Sequence, residues 1–254
     1  CVFATALLQW IMFITISIYI LKAKRYLATQ PLNMFEKIDR VLIKRILKLG
    51  LPIGLAIFFE VSIFSTGAIV LSPLGEVTVA AHQIALSITS QLFMIPMSLA
   101  LALTIRTGTY YGEKNWYAMR KVQKVGLMTS TLFACITMLL LLILRPQIVS
   151  VYTSDYDVSQ AAIYLILFAI GYQLMDAWQV SAAGCLRGMQ DTKGPMWITM
   201  LAYWIIAFPV GIYLARYTDM GAAGVWTGLI IGLTIACVLL LTRLYMNNKR
   251  LSQA

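Results

Sequence analysis

The chain has 254 residues, of which 60% are hydrophobic and 12% are charged, and its formal net charge is +10. Soluble domains contain about 45–50% apolar and about 25% charged residues. This composition therefore excludes a soluble enzyme, a disordered chain and a disulfide-bonded scaffold.

Seven apolar segments are long enough to cross a membrane, which takes about 20 residues of helix. Each segment is continuously apolar, whereas the strands of a membrane barrel alternate over about ten residues. The sequence therefore predicts an all-α, polytopic membrane protein with seven transmembrane helices. The predicted spans are residues 2–21, 51–71, 80–105, 125–144, 161–186, 195–215 and 221–241.

Lysine and arginine are concentrated in alternate segments between these spans, with 18 on one side of the membrane and 2 on the other. By the positive-inside rule the basic side is cytoplasmic, so we expect the first residue outside and the C-terminus in the cytoplasm. Orientation and attraction to anionic lipids account for the charge, and we expect no nucleic-acid partner.

The longest connection between spans is basic and has a helical pattern of its own. Ile38, Leu42 and Leu49 recur at helical spacing, with basic residues on another face. This pattern is typical of a helix lying in the membrane interface. The predicted domains are a leading span at 1–21, a cytoplasmic connector with an interfacial helix at 22–50, a six-helix lobe at 51–243 and a cytoplasmic tail at 244–254.

Two carboxylates, Glu60 and Asp176, interrupt apolar spans. Glu60 lies twelve residues from Lys48 and Asp176 eleven from Arg187, which places both about 16–18 Å deep, near the membrane midplane. No lysine or arginine lies at that depth in the sequence. A charged group there is unfavourable, so an intramembrane acid indicates a functional site. A proton, Na⁺ or a cationic substrate could neutralise the pair.

Aromatic residues accompany these acids. Tyr172 precedes Asp176 by one helical turn and shares its face, and Trp178 could provide cation–π surface for an organic cation. The alternative is that the acids are protonated and join helices by hydrogen bonds, and that the aromatic rings only fill space between helices.

His82 is the single histidine. Because no catalytic or cofactor-binding motif accompanies it, we expect neither an enzyme nor a resident cofactor.

Three segments carry a family resemblance: LPIGLAIFFE at 51–60, VAAHQIAL at 79–86 and GCLRGMQDTKGPM at 184–196. They resemble the multidrug and toxic compound extrusion (MATE) family, and within it the NorM-like branch. The resemblance implies a C-terminal half: the last span of the N-terminal lobe, the connector and the six-helix C-terminal lobe of a twelve-span transporter. The N-terminal lobe would be the missing partner of this chain.

The resemblance also implies roles for individual residues. Glu60 and Asp176 match acids that bind the coupling cation, Na⁺ or H⁺, and Tyr172 matches their aromatic neighbour. Phe64 and Gln83 match positions that contact substrate, and Phe93 stands where some relatives have tyrosine. With Trp178 from the pattern above, the candidate substrate contacts are Phe64, Gln83, Phe93 and Trp178.

The function implied is export of organic cations and drugs in exchange for Na⁺ or H⁺. The protein would be a multi-pass, monomeric protein of a bacterial inner membrane, in contact with membrane lipids. A lipid-linked glycan flippase of related fold is one alternative, and it predicts basic residues in a midplane cavity. A non-transporting membrane scaffold is another, in which the buried acids only hold helices together.

Overall fold

The computed structural model describes residues 2–22 and 39–253, and this part of the chain is helical with short connections. It contains seven helical segments that are long and apolar enough to cross a membrane. The predicted all-α fold class with seven transmembrane helices is confirmed. The helices are α1 Val2–Lys22, α2 Arg40–Leu71, α3 Glu76–Gly112, α4 Trp116–Ser150, α5 Tyr156–Gly188, α6 Lys193–Thr199, α7 Phe208–Tyr217 and α8 Ala222–Gln253.

Most helices extend beyond the apolar segments predicted as spans. Helix α3 has 37 residues, for example, whereas hydropathy marks 80–105. Backbone hydrogen bonds continue a helix into its charged flanks until a capping residue intervenes. Asn115 caps α4 by accepting a hydrogen bond from the backbone N–H of Ala118 at 3.1 Å, and Asp155 caps α5 in the same way through Val158 at 2.9 Å.

The chain divides into two compact units, Cys1–Arg45 and Ile46–Ala254.

The beginning of α2 differs from the predicted connector. Asp39 caps this helix by accepting hydrogen bonds from the backbone N–H groups of Val41 and Leu42 at 2.8 and 3.1 Å. From there α2 runs through Pro52 without a break, so Leu42 and Leu49 of the interfacial pattern belong to a longer helix. The rest of the predicted connector, 23–38, lies outside the described residues.

Within the larger unit, α5 packs against α3, α4 and α8. Glycines allow the close approach of α5 to α3. A Cβ on Gly184 would lie 2.5 Å from the carbonyl oxygen of Ala100, and one on Gly188 would lie 2.6 Å from that of Thr104. The Thr104 hydroxyl also donates to the carbonyl of Gly184 at 3.0 Å. Small residues of this kind are typical of helix contacts in membranes.

The sixth membrane-spanning segment changes its helical geometry midway. Between α6 and α7, residues Met200–Ala207 form a π-helix, and the backbone N–H of Phe208 donates to the carbonyl of Tyr203. Pro209 follows in the first turn of α7. Such π-helical turns are rare in proteins, and those that occur are often found at functional sites. This one places the fully buried Tyr203 in the site described next.

Candidate cation site

One face of α5 carries three polar side chains into the interior. Tyr172, Asp176 and Gln179 follow one another at helical spacing and are 3%, 6% and 1% exposed. Residues four and then three positions apart lie above one another on a helix. The predicted alignment of Tyr172 with Asp176 therefore extends one turn further, to Gln179.

Gln179 joins this face to two other segments. Its Nε2 donates a hydrogen bond to Oε1 of Glu60 on α2 at 3.0 Å, and its Oε1 accepts one from the Tyr203 hydroxyl at 2.5 Å. The two bonds use the donor and the acceptor of the amide at once. They fix which way the amide points and tie Glu60 to the π-helical segment.

Glu60 and Asp176, the two acids predicted from depth, belong to this one cluster. Glu60 is partly buried, and Asp176 lies within electrostatic range of it. Among the described residues, neither acid has a basic side chain within 4 Å, since the salt bridge found there joins Arg243 to Asp191. Arg187 exerts a longer-range electrostatic effect on Glu60, which counting residues to the cytoplasmic surface did not anticipate.

A row of rings leads away from the carboxylates. Tyr172 lies 6.5 Å from Phe64, measured between ring centroids, and stacks on Trp226 at 6.1 Å. The Trp226 indole N–H donates to Nδ1 of His82 at 3.1 Å. His82 is fully buried, and its Nε2 has no hydrogen-bond partner in the described structure. The histidine thus supports the ring row from the protein interior.

The four candidate substrate residues lie in different surroundings. Phe64 faces Tyr172 and belongs to the ring row. Trp178 lies on another face of α5, where its indole N–H donates to the Thr131 hydroxyl on α4 at 2.8 Å. Gln83 is exposed on α3, and Phe93 is half-buried on the same helix. The structure brings Phe64, but not Trp178, to the ring row beside the carboxylates.

Sequence reasoning missed Gln179, Tyr203 and Trp226. Gln179 carried a usable signal, since it is a polar residue in an apolar span one turn after Asp176. Tyr203 and Trp226 carried none, because an aromatic residue in an apolar span is ordinary. Trp226 reaches the site because α8 packs against α5, and Tyr203 reaches it from the π-helical segment, which packs against α8.

The chemistry of this cluster suits a hard cation or a proton. Its polar groups are carboxylate, phenol and amide oxygens, which bind hard cations well and soft metals poorly. In the described part of the chain, no group of three or more histidine, cysteine or acidic residues could hold a metal ion. Two acids with neighbouring rings can instead neutralise a monovalent ion or an organic cation.

Comparison with known proteins shows the family of this chain. The sequence profile of the MatE family matches residues 52–213, which include α5 and both acids. The chain belongs to the MatE family. Among relatives of this MatE chain is the "Probable multidrug resistance protein NorM" of Acinetobacter baylyi, which is 70% identical over 253 residues and covers 100% of this chain and 56% of that protein. The "Multidrug resistance protein MdtK" of Photorhabdus laumondii is 41% identical over 98% of this chain and 56% of its own length.

This MatE chain thus spans about half the length of the curated relatives it matches. Solved structures share its fold at low sequence identity. The "eukaryotic MATE transporter AtDTX14" has a TM-score of 0.86 at 19% identity, over 96% of this chain and 55% of its own. An "outward-facing conformation of a multidrug resistance MATE family transporter" has a TM-score of 0.75 at 20% identity, over 87% and 50%.

Proposed function

We propose that this chain provides the cation-binding lobe of a secondary antiporter that exports organic cations in exchange for Na⁺ or H⁺. The observation that carries the proposal is the joining of Glu60 and Asp176 in one cluster where, among the residues that the structure describes, neither acid has a basic side chain within 4 Å. Acids inside a membrane are unfavourable as free charges, so a pair without a contacting base supports a site for an exchangeable positive charge. The names of the NorM and MdtK relatives support drugs as the exported cargo.

The residues of the cluster have different roles in this proposal. Glu60 and Asp176 take up the coupling ion, and Gln179 holds the Glu60 carboxylate in a fixed orientation by its hydrogen bond. Tyr172 and Phe64 provide aromatic surface beside the carboxylates. Because ion and drug prefer different conformations, binding of one favours release of the other. Rocking of this lobe against a second lobe around a midplane site would then move both across the membrane.

The proposal extends to the whole protein and its location. This chain would be the C-terminal half of a twelve-span monomer in a bacterial inner membrane, with its first residue outside and its C-terminus in the cytoplasm. The missing N-terminal lobe would complete the drug cavity. The asymmetry of 18 against 2 basic residues supports this orientation.

The test is ion-coupled efflux of ethidium from a bacterial host that lacks its own efflux pumps and expresses the full-length protein. Glu60→Gln and Asp176→Asn keep the size of each side chain but remove its charge, so each should lower coupled efflux at least tenfold. Glu76→Gln changes an exposed acid at the beginning of α3 and should retain efflux. If both site variants export ethidium and confer resistance like the wild type, at equal membrane levels, the assignment is wrong.

A further inference from the structure

A groove with basic walls lies between α4 and α8, away from the carboxylate pair. Its cavity has a volume of about 720 Å³. The groove combines residues from the beginning of α4 with residues from the end of α8, so both walls start at the same membrane face. Trp178 of α5 also lines it.

Three cations line the groove: Arg120 and Lys124 on α4 and Lys249 on α8. All three are exposed. No acidic residue lines the groove, and none lies within 4 Å of these cations in the part of the chain that the structure describes. The groove therefore carries an unneutralised positive charge.

Polarity changes along both walls in the same direction. On α4, Arg120 and Lys124 are followed by Leu127 and Met128, one turn or about 6 Å further from the helix end. On α8, Lys249 is preceded by Tyr245 and then by leucines at 241 and 244. A charged opening and an apolar interior match the headgroup and acyl chain of a phospholipid in their order and spacing.

Hydrogen bonds hold the two walls together at the charged end. Asn248 on α8 donates to the side chain of Gln123 on α4 at 2.8 Å, and Arg120 donates to the Ser252 hydroxyl at 2.6 Å. The buried Gln123 also donates to the sulfur of Met189 at 3.6 Å. The opening is thus formed before any ligand arrives, which lowers the entropy lost on binding.

We propose that this groove is a binding site for one anionic phospholipid. Its phosphate binds Arg120, Lys124 and Lys249, and one acyl chain lies along Leu127 and Met128 toward Trp178. Basic pockets between membrane helices bind anionic headgroups by this charge complementarity. The site is independent of the proposed transport function, because none of its residues belongs to the carboxylate cluster.

The experiment is native mass spectrometry of the purified, delipidated protein titrated with palmitoyl-oleoyl-phosphatidylglycerol. The test variant replaces Arg120, Lys124 and Lys249 together by glutamine. The control replaces Arg106, Lys121 and Arg250 by glutamine, since these exposed cations lie outside the groove and their loss removes equal charge. Each basic residue near an anionic lipid contributes roughly fivefold in affinity, so the test variant should bind the tightest phosphatidylglycerol at least tenfold more weakly.

The wild type and the control should retain one phosphatidylglycerol at concentrations at which phosphatidylcholine is lost. Equal retention by the test and control variants would overturn the proposal. So would binding of glycerol 3-phosphate as tight as that of the lipid, since the acyl chain would then contribute nothing. A photoactivatable phosphatidylglycerol on the wild type, which does not depend on the variant folding, should label 127–131 and 241–245. Labelling elsewhere would also overturn the proposal.

Discussion

Gln179 on α5 and Glu60 on α2 are 119 residues apart in the chain and are joined by a hydrogen bond of 3.0 Å. The same amide accepts a hydrogen bond from Tyr203. One side chain therefore connects the two helices that carry the acids to the π-helical segment. This hydrogen bond orients the Glu60 carboxylate toward α5.

Replacing Gln179 by leucine should leave a folded protein with about tenfold slower efflux, because Glu60 loses the donor that orients it. The orphaned Tyr203 hydroxyl should also destabilise the fold by about 1–3 kcal/mol. Ethidium efflux by the full-length protein and thermal unfolding in detergent measure the two effects. The control is Gln173→Leu, which removes a buried amide of the same helix that bonds Thr137 at 3.2 Å. Equal loss of efflux in both variants would mean that Gln179 acts only through stability.

Replacing His82 by leucine should destabilise the protein by about 1–3 kcal/mol, because the indole N–H of Trp226 would lose its acceptor inside the protein. Trp226 stacks on Tyr172, so the apparent affinity for ethidium should fall as well. His82→Asn keeps an acceptor near the position of Nδ1 and should recover most of both losses. If asparagine and leucine behave alike, the hydrogen bond is not what holds Trp226.

The contact between α3 and α5 should not tolerate a methyl group at Gly184. A Cβ there would meet the carbonyl oxygen of Ala100 at 2.5 Å, so Gly184→Ala should lower stability by about 1–3 kcal/mol through overpacking. The same change at Gly54, where nothing lies within 4 Å of a Cβ, should be neutral or stabilising, since alanine favours a helix by up to about 1 kcal/mol. Thermal unfolding of the two variants side by side decides between these outcomes.

Asp191, in the connection between α5 and α6, should make stability depend on pH. It accepts hydrogen bonds from Arg243 at 2.6 and 2.9 Å and from Asn247 at 2.8 Å. Burial alone would raise the pKa of Asp191, but these bonds outweigh it and hold the pKa below its ordinary value of 3.8. A lowered carboxyl pKa stabilises the fold above the ordinary value, and this stabilisation is lost as the pH falls through the lowered one.

Asp191→Asn should therefore be less stable than the wild type at neutral pH, and the difference should shrink below about pH 4. The expected difference is about 1 kcal/mol, because the Arg243 side chain is 43% exposed and water screens the pair. Thermal unfolding of both proteins at neutral and acid pH measures it. A difference that stays constant with pH would show that the charge of Asp191 is not the cause.

The sequence predicts much of this fold because membrane-spanning segments are recognisable from their hydropathy and flanking charge. Seven apolar segments and alternating basic charge define the spans, and depth alone singles out Glu60 and Asp176. Contacts between helices cannot be predicted from hydropathy or charge in this way. Counting residues gives the depth of Arg187 but not its reach toward Glu60, and it cannot show that Trp178 faces Thr131 on α4. Helix rotation and the π-helical turn decide those contacts, and neither follows from hydropathy.

The central claim is that Glu60 and Asp176 form one exchangeable cation site. Its most direct test is the rate at which the apolar reagent dicyclohexylcarbodiimide labels Glu60 in the purified full-length protein at fixed pH. Ethidium should slow the labelling, as should Na⁺ if Na⁺ is the coupling ion, and Asp176→Asn should remove this protection while Glu60 remains reactive. A labelling rate that neither ethidium nor Na⁺ changes, at saturating concentrations, would contradict the account.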